Sequence, residues 1–110
     1  MTVDARDAVA LTQALVRCPS VTPEEGGALD LLQNVLDAAG FVTQRQVFQA
    51  EVTPDVDNLY ARFGTGDPCL LFAGHTDVVP TGDEALWTHP PFAGVIDKGV
   101  LYGRGTTDMK

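Results

Sequence analysis

Basic residues are scarce in this 110-residue chain, which carries seven Lys and Arg against fifteen Asp and Glu. The resulting net charge of -8 repels a phosphate backbone, and the basic stripe of a nucleic-acid binder is missing. We therefore expect no nucleic-acid partner. An acidic balance suits a cation-binding site, but it equally suits an ordinary soluble surface kept dispersed by charge, so charge alone leaves both interpretations open.

Cysteines and long apolar runs are also few. Cys18 and Cys69 lie far apart and form no Cys-x-x-Cys pair, which predicts neither a disulfide framework nor a thiolate zinc site. We expect two buried thiols in a reducing compartment. No run approaches the roughly 18 apolar residues of a membrane span, and charged residues already occur within the first seven positions. The chain is expected to be soluble and cytoplasmic, with no membrane partner.

The first helical pattern lies near the start of the chain. Asp4 is predicted to cap a helix whose apolar residues recur between Ala8 and Leu15. Pro19 forces this helix to end near Arg17, because a proline cannot continue it.

A second helix is expected to begin at Thr22. Thr22, Pro23 and Glu25 occupy the positions of a capping residue, a first helical residue and a capping-box glutamate. Gly40 supplies the left-handed residue that ends the helix. Its predicted core stripe is Leu29, Leu32, Val35, Leu36 and Ala39. Docking of a partner helix on this stripe is the less favoured alternative, because a strand pattern follows at once.

The rest of the chain alternates between strand and turn patterns. Strands are predicted at 41–50 and 58–63, loops at 51–57 and 78–93, and a hairpin at 94–102. The unbroken apolar run 69–74 predicts a strand buried on both faces. The expected fold class is α/β, with helices packed on a mixed sheet and the site at the carboxyl end of a strand.

Polar residues follow the apolar run directly. His75 and Asp77 are two positions apart, so in an extended chain they project to the same side, as a metal ligand and its orienting carboxylate must. This spacing also fits an ordinary polar strand end. Asp108 lies in a turn with Gly103 and Gly105, where a carboxylate can approach an ion closely. Three donors do not close a site, and no further His, Asp or Glu has convincing spacing.

Three motifs together resemble a known superfamily. They are Gly74-His75-Thr76-Asp77-Val78-Val79-Pro80, then Trp87 with Pro91-Phe92, then Gly99 to Lys110 with the pattern Leu-Tyr-Gly-Arg-Gly-x-x-Asp-Met-Lys. This combination resembles the dizinc amidohydrolases, which include aminoacylases and acetylornithine deacetylases. The stretch Arg17 to Pro23 and the residues on both sides of His75 are most similar to the branch that hydrolyses succinylated diaminopimelate. The likeness runs from about Leu11 to Lys110.

The resemblance implies a role for each candidate residue. His75 would bind one zinc ion, Asp77 would have a catalytic role as the carboxylate that orients the imidazole, and Asp108 would bridge two ions. It also implies a cis peptide bond between Asp108 and Met109. Two Zn²⁺ per subunit are expected, with Co²⁺ possible in one site. The remaining ligands and the catalytic glutamate of the superfamily have no counterpart among these residues.

The implied activity is hydrolysis of N-succinyl-LL-2,6-diaminopimelate to succinate and LL-2,6-diaminopimelate, in lysine biosynthesis. A sister specificity, for acetylornithine or another acylated amino acid, and a non-catalytic metal-binding fragment are the alternatives. Residues 1–110 are expected to form the N-terminal portion of a dizinc-peptidase catalytic domain. The full-length enzyme is expected to be a homodimer acting on a small molecule, and the fragment alone to be inactive.

Four other residues invite interpretation. His89 precedes Pro90 and is predicted to be a loop residue rather than a ligand. Trp87 and Phe92 are expected to pack the loop. Arg104 is expected to hold the final turn by pairing with a nearby carboxylate.

Overall fold

Two helices precede all of the strands in the chain. The computed structural model describes residues 3–110, so residues 1 and 2 of the predicted 1–110 domain lie outside the described residues. The elements in order are α1 (Ala8–Val16), α2 (Ala28–Ala38), β1 (Val42–Ala50), β2 (Thr53–Arg62), a 3₁₀ turn (Glu84–Leu86), β3 (Val95–Asp97) and β4 (Val100–Tyr102). The α/β class is therefore confirmed. Within the described range, no helix has the length and apolar character needed to cross a membrane.

Helix α1 is capped by Asp7 instead of Asp4. The Asp7 carboxylate accepts a hydrogen bond from the amide of Ala10 at 2.9 Å, whereas Asp4 closes a separate turn with the amide of Arg6. Both aspartates can accept such bonds, and the one that directly precedes the helical residues takes the cap. The predicted end near Arg17 is confirmed, since Arg17 is the C-terminal capping residue.

Helix α2 begins at Ala28, five residues after the predicted first helical position Pro23. The amide of Thr22 donates to the carbonyl of Val78, and residues 22–23 form a turn in which the amide of Glu24 donates to the carbonyl of Val21, so no helix begins there. The Glu25 carboxylate still serves the helix start, because it accepts from the amides of Gly27 and Leu29 at 2.9 Å each. The predicted C-terminal Gly40 is confirmed, with φ of +90°.

Strands β1 and β2 form an antiparallel hairpin. The predicted strand at 41–50 is confirmed, but the predicted loop at 51–57 is wrong over most of its length, because β2 begins at Thr53. Pro54 is tolerated because the register shifts between Phe48 and Ala50, and an irregular position needs no ladder donor from proline.

The expected mixed sheet is not formed by residues 3–110. The strands make two separate two-stranded antiparallel sheets, β1 with β2 and β3 with β4. The parallel contact in the described chain is the single bridge between Val21 and Val78. The predicted hairpin at 94–102 is confirmed, with its turn at Lys98 and Gly99, both of which have positive φ.

The apolar run 69–74 is neither a paired strand nor buried. Leu70, Leu71 and Phe72 expose 79%, 74% and 86% of their surface. No backbone group from 69 to 75 bonds another backbone group within the described residues. The prediction failed because burial on both faces needs neighbouring strands and covering helices, and among residues 3–110 β2 pairs only with β1.

The two cysteines differ in their surroundings. Cys18 is partly buried, and burial raises the pKa of its thiol, whereas Cys69 is exposed at the start of the bare apolar run. The expectation of two buried thiols is therefore wrong for Cys69. Neither cysteine is in a disulfide.

A small apolar core joins the helices to the polar end of the apolar run. The buried apolar residues are Leu15 and Val16 of α1, Ala28, Leu29 and Val35 of α2, and Val78. Gly103 lies directly against Val16, since a Cβ added to that glycine would come within 2.3 Å of a Val16 methyl. The core therefore brings the segment around Val78 and the segment after β4 to the same end of α1.

Arg45 links the hairpin to α2. Its guanidinium pairs with both carboxylate oxygens of Asp57 on β2 and, at 2.6 Å, with Asp30 on α2. The hydrogen bonds that Arg45 donates lower the pKa of Asp57, and the acceptance of these bonds by Asp57 and Asp30 raises the pKa of Arg45. The hairpin is thus held to the helix by charge as well as by packing.

We predict that Arg45→Gln lowers the free energy of unfolding by about 1 kcal/mol at pH 7, as expected for a partly exposed ion-pair network. Asp57 has a lowered pKa in the folded state, so its contribution is present above its ordinary pKa and is lost as the pH falls. The difference between wild type and variant should therefore shrink below about pH 4. Urea denaturation at several pH values measures it.

Arg62→Gln is the matched control, because Arg62 donates to the carbonyl of Gly64 two residues away. It removes the same charge without breaking the link to α2. Equal destabilisation by both variants would contradict a special role for Arg45.

Candidate metal centre

The polar end of the apolar run is fastened to the connection between α1 and α2. The amide of Thr22 donates to the carbonyl of Val78 at 3.1 Å, and the amide of Val78 donates to the carbonyl of Ser20 at 2.9 Å. The hydroxyl of Ser20, which is fully buried, donates to the carbonyl of Thr76 at 2.6 Å. These bonds fix the backbone that carries His75 and Asp77.

The second half of the site comes from the loop after β4. The amide of Lys110 donates to the carbonyl of Gly105 at 2.9 Å, and its ammonium donates to the carbonyl of Cys18 at 2.5 Å. Burial lowers the pKa of this ammonium group. The loop is thereby tied to the carboxyl end of α1, with Asp108 projecting outward between Gly105 and Lys110. The peptide bond between Asp108 and Met109 is cis, as the resemblance predicted.

Gly105 is where this loop needs a glycine. Its φ is +94°, and a Cβ added there would come within 2.9 Å of a Val78 methyl and 3.0 Å of the Lys110 side chain. Both the backbone conformation and the space therefore exclude a larger residue.

The two halves meet at the imidazole of His75. Its Nδ1 lies 3.2 Å from Asp77 Oδ1 and 3.0 Å from the Asp77 carbonyl, and its Nε2 lies 3.1 Å from Asp108 Oδ1. The Asp77 carbonyl is the main cause of a raised pKa at His75, and the two carboxylates add to it. His75 and Asp108 lie 33 residues apart in the chain, yet they face the same cleft of about 270 Å³.

The donor set suits a zinc ion. An imidazole nitrogen and a carboxylate oxygen bound to one tetrahedral ion at about 2.0–2.1 Å stand roughly 3.3 Å apart, and His75 Nε2 and Asp108 Oδ1 are separated by 3.1 Å. Asp77 faces the other ring nitrogen, which is where an orienting carboxylate belongs. No cluster of three or more His, Cys, Asp or Glu residues able to hold a metal is found among residues 3–110. The described residues therefore supply two donors and no closed site.

Thr22 is a member of the site that sequence reasoning missed. Its hydroxyl donates to Asp77 Oδ2 at 2.5 Å, although the capping pattern predicted a helix start at this position. Thr22 and Asp77 are 55 residues apart, so no local spacing could have joined them. The available signal was the Arg17 to Pro23 stretch, which formed part of the resemblance without an assigned role.

The other candidate residues lie outside this cluster. The ring of His89 packs on Tyr102 at 4.6 Å, and Trp87 Nε1 donates to the carbonyl of Thr81. His89 is therefore a loop residue and Trp87 packs the loop, as predicted. The Arg104 guanidinium lies over the Trp87 ring at 5.0 Å and donates to the Pro80 carbonyl. The predicted carboxylate partner of Arg104 is wrong for the described residues, because the guanidinium is turned toward Trp87.

The family comparison covers the three site residues that the sequence predicted. Residues 71–110 match the family model for Peptidase family M20/M25/M40. His75, Asp77 and Asp108 all fall inside the matched range. This part of the chain therefore resembles a peptidase family. The matched range also contains Leu71 and Phe72, whose side chains are exposed.

The curated relatives show which enzymes the chain is similar to. The chain is 65% identical over 102 residues to a succinyl-diaminopimelate desuccinylase of Methylobacterium nodulans, covering 93% of this chain and 26% of the relative. It is 57% identical over 110 residues to one of Rhodopseudomonas palustris, covering 100% of this chain and 28% of the relative. The chain thus spans about a quarter of the length of the curated relatives it matches. The predicted resemblance to the desuccinylases is confirmed.

We predict that Gly105→Ala weakens zinc binding by the full-length protein about tenfold, because the strained backbone and the clash with Val78 displace Asp108. Gly99→Ala is the matched control. Gly99 also has positive φ, at +82°, but no atom of the described part of the chain lies within 4 Å of the Cβ it would gain. Titration against a chromophoric chelator measures both affinities. Equal losses in the two variants would argue against crowding at Gly105 as the cause.

Proposed function

We propose that this chain is the N-terminal portion of the catalytic domain of a metal-dependent amide hydrolase. Its substrate would be N-succinyl-LL-2,6-diaminopimelate. Water adds across the amide bond: the carbonyl carbon gains the oxygen, the C–N bond breaks, and the nitrogen takes a proton. The products are succinate and LL-2,6-diaminopimelate, in lysine biosynthesis. The observation that carries this proposal is the approach of His75 Nε2 to Asp108 Oδ1 at 3.1 Å, inside a stretch that matches a peptidase family.

In this proposal His75 and Asp108 are metal ligands, and Asp77 has a catalytic role by orienting the imidazole. Two Zn²⁺ per subunit are proposed, one of them replaceable by Co²⁺, and Asp108 would be a ligand of both. Zinc in such a site polarises a carbonyl and makes a bound water more acidic. The Nδ1 side of His75 faces the Asp77 carbonyl and carboxylate, which favours the tautomer that leaves Nε2 free for a metal. The other ligands and the general base would come from the rest of the longer protein.

The proposed substrate carries several carboxylates, and the described site offers them little positive charge. Lys110 is engaged with the Cys18 carbonyl, and Arg104 with Trp87 and Pro80. Recognition of the substrate carboxylates is therefore assigned to residues outside this chain. The full-length protein is proposed to be cytoplasmic and to act as a homodimer.

A panel of acylated substrates tests the proposal on the full-length protein. N-succinyl-LL-2,6-diaminopimelate should be hydrolysed with the highest kcat/KM, the activity should disappear after chelation, and Zn²⁺ should restore it. Faster hydrolysis of N-acetylornithine would instead assign a sister specificity. Metal binding without hydrolysis of any member would favour a non-catalytic metal-binding protein.

The apolar run 69–74 belongs to the same proposal. It borders a cleft of about 770 Å³ that is also lined by Leu29, Leu32 and Leu36 of α2 and by residues of β2. Apolar side chains with 74–86% exposure and unpaired backbone groups on the same segment are the features of a strand that lacks its neighbours. We assign these neighbours to the part of the longer protein that this chain does not cover.

This assignment predicts that Cys69, exposed here, is protected in the full-length protein. Alkylation of Cys69 by iodoacetamide should be at least tenfold slower in the native protein than in urea, because the strand would be buried. Gly66→Cys in a Cys69→Ser background is the control, since Gly66 lies in the preceding turn and nothing in residues 3–110 comes within 4 Å of its added Cβ. Native Cys69 reacting as fast as the control cysteine would refute the assignment.

A further inference from the structure

Asp77 is held by residues on both of its carboxylate oxygens. Oδ1 lies 3.2 Å from His75 Nδ1, and Oδ2 accepts the hydroxyl of Thr22 at 2.5 Å. The same hydroxyl lies 3.3 Å from the carbonyl of Val78, which already accepts the amide of Thr22. A hydroxyl has one proton to donate, so the shorter bond to the carboxylate is the one it makes.

The backbone around this contact does not depend on the Thr22 side chain. The bonds that align the two segments come from the backbone of Ser20, Thr22 and Val78 and from the Ser20 hydroxyl. The Thr22 hydroxyl adds one contact to this frame, and that contact ends on a carboxylate that faces His75. Thr22 is itself exposed and lines the same cleft as His75 and Asp108.

Without the hydrogen bond from Thr22, the carboxylate of Asp77 would be free to rotate. Its side chain is 47% exposed, so water competes for both oxygens and the group can rotate about its terminal bond. Rotation would leave His75 Nδ1 with the Asp77 carbonyl alone, at 3.0 Å. It would also free a carboxylate oxygen to approach a cation in the cleft directly. A donor fixed on Oδ2 opposes both changes.

We propose that Thr22 is a positioning residue of the metal centre, which holds Asp77 so that Oδ1 stays on His75 Nδ1. The inference rests on the proposed role of His75 as a metal ligand. In this role Thr22 is not a metal ligand, because its hydroxyl proton is donated to Asp77 and it acts through that carboxylate. Its chemical requirement is a hydroxyl, so serine should replace threonine and valine, which has the same shape, should not.

Zinc and cobalt affinities of the full-length protein test this inference. Thr22→Val should weaken binding of either ion alone by up to about tenfold, which is the lower end of the range for losing the direct partner of a metal ligand, here Asp77. Thr22→Ser should stay within about twofold of wild type. The melting temperature of the metal-free protein should be nearly the same for all three proteins, because the backbone frame is retained.

Ser20→Ala is the control for a purely structural effect. It removes the bond from a buried hydroxyl to the Thr76 carbonyl and should lower the metal-free melting temperature. Unchanged affinity in Thr22→Val would overturn the inference. So would loss of affinity in Thr22→Ser equal to that in Thr22→Val, or a loss matched by a falling melting temperature.

His75→Ala separates the inference from the function on which it rests. Loss of metal binding in His75→Ala with full affinity in Thr22→Val would reject Thr22 alone. Wild-type affinity in His75→Ala would reject the metal site itself, and the role of Thr22 with it.

Discussion

The short pairing of Ser20–Thr22 with Thr76–Val78 is the constraint on which the site depends. Two backbone hydrogen bonds and one from a buried serine hydroxyl hold this segment, which has no other strand partner in the described range, to the connection between the helices. Val78 is buried at this point, and Gly105 packs against it, so the loop with Asp108 is placed relative to the same residue. His75 and Asp108 therefore face each other because the segments that carry them pack against the same small core.

The charge around the cleft that His75 and Asp108 line depends on which groups Lys110 and Arg104 contact. His75 stands between two carboxylates, while Lys110 bonds the end of α1 and Arg104 lies on Trp87. Each of these cations satisfies backbone carbonyls and holds a loop in place. The cleft is lined by two aspartates, an imidazole and Arg104, whose guanidinium is directed to Trp87 and the Pro80 carbonyl. The two carboxylates therefore attract a cation, in a chain whose net charge is already -8. The same cations stabilise the loops and leave the carboxylates available.

The bare apolar run shows where local reasoning about burial fails. Its residues are as hydrophobic as those of a central strand, and the segment ends at the site as such a strand would. Burial, however, depends on the neighbours that cover a strand. Within the described residues β1 and β2 pair with each other and not with the apolar run. Arg45 holds the hairpin to α2, and β2 therefore forms one wall of the cleft of about 770 Å³ that the apolar run borders.

The sequence by itself determined the candidate residues His75, Asp77 and Asp108, the end of each helix and the β3–β4 turn, because these depend on residue chemistry and on neighbours a few positions away. The start of α2, the length of β2 and the contact between Thr22 and Asp77 were decided only by tertiary structure. A capping pattern at Thr22 competes with a backbone pairing to Val78, and the pairing brings the hydroxyl to a carboxylate 55 residues away. Spacing along the chain carries no information about such a contact, since it exists only once the two segments lie side by side.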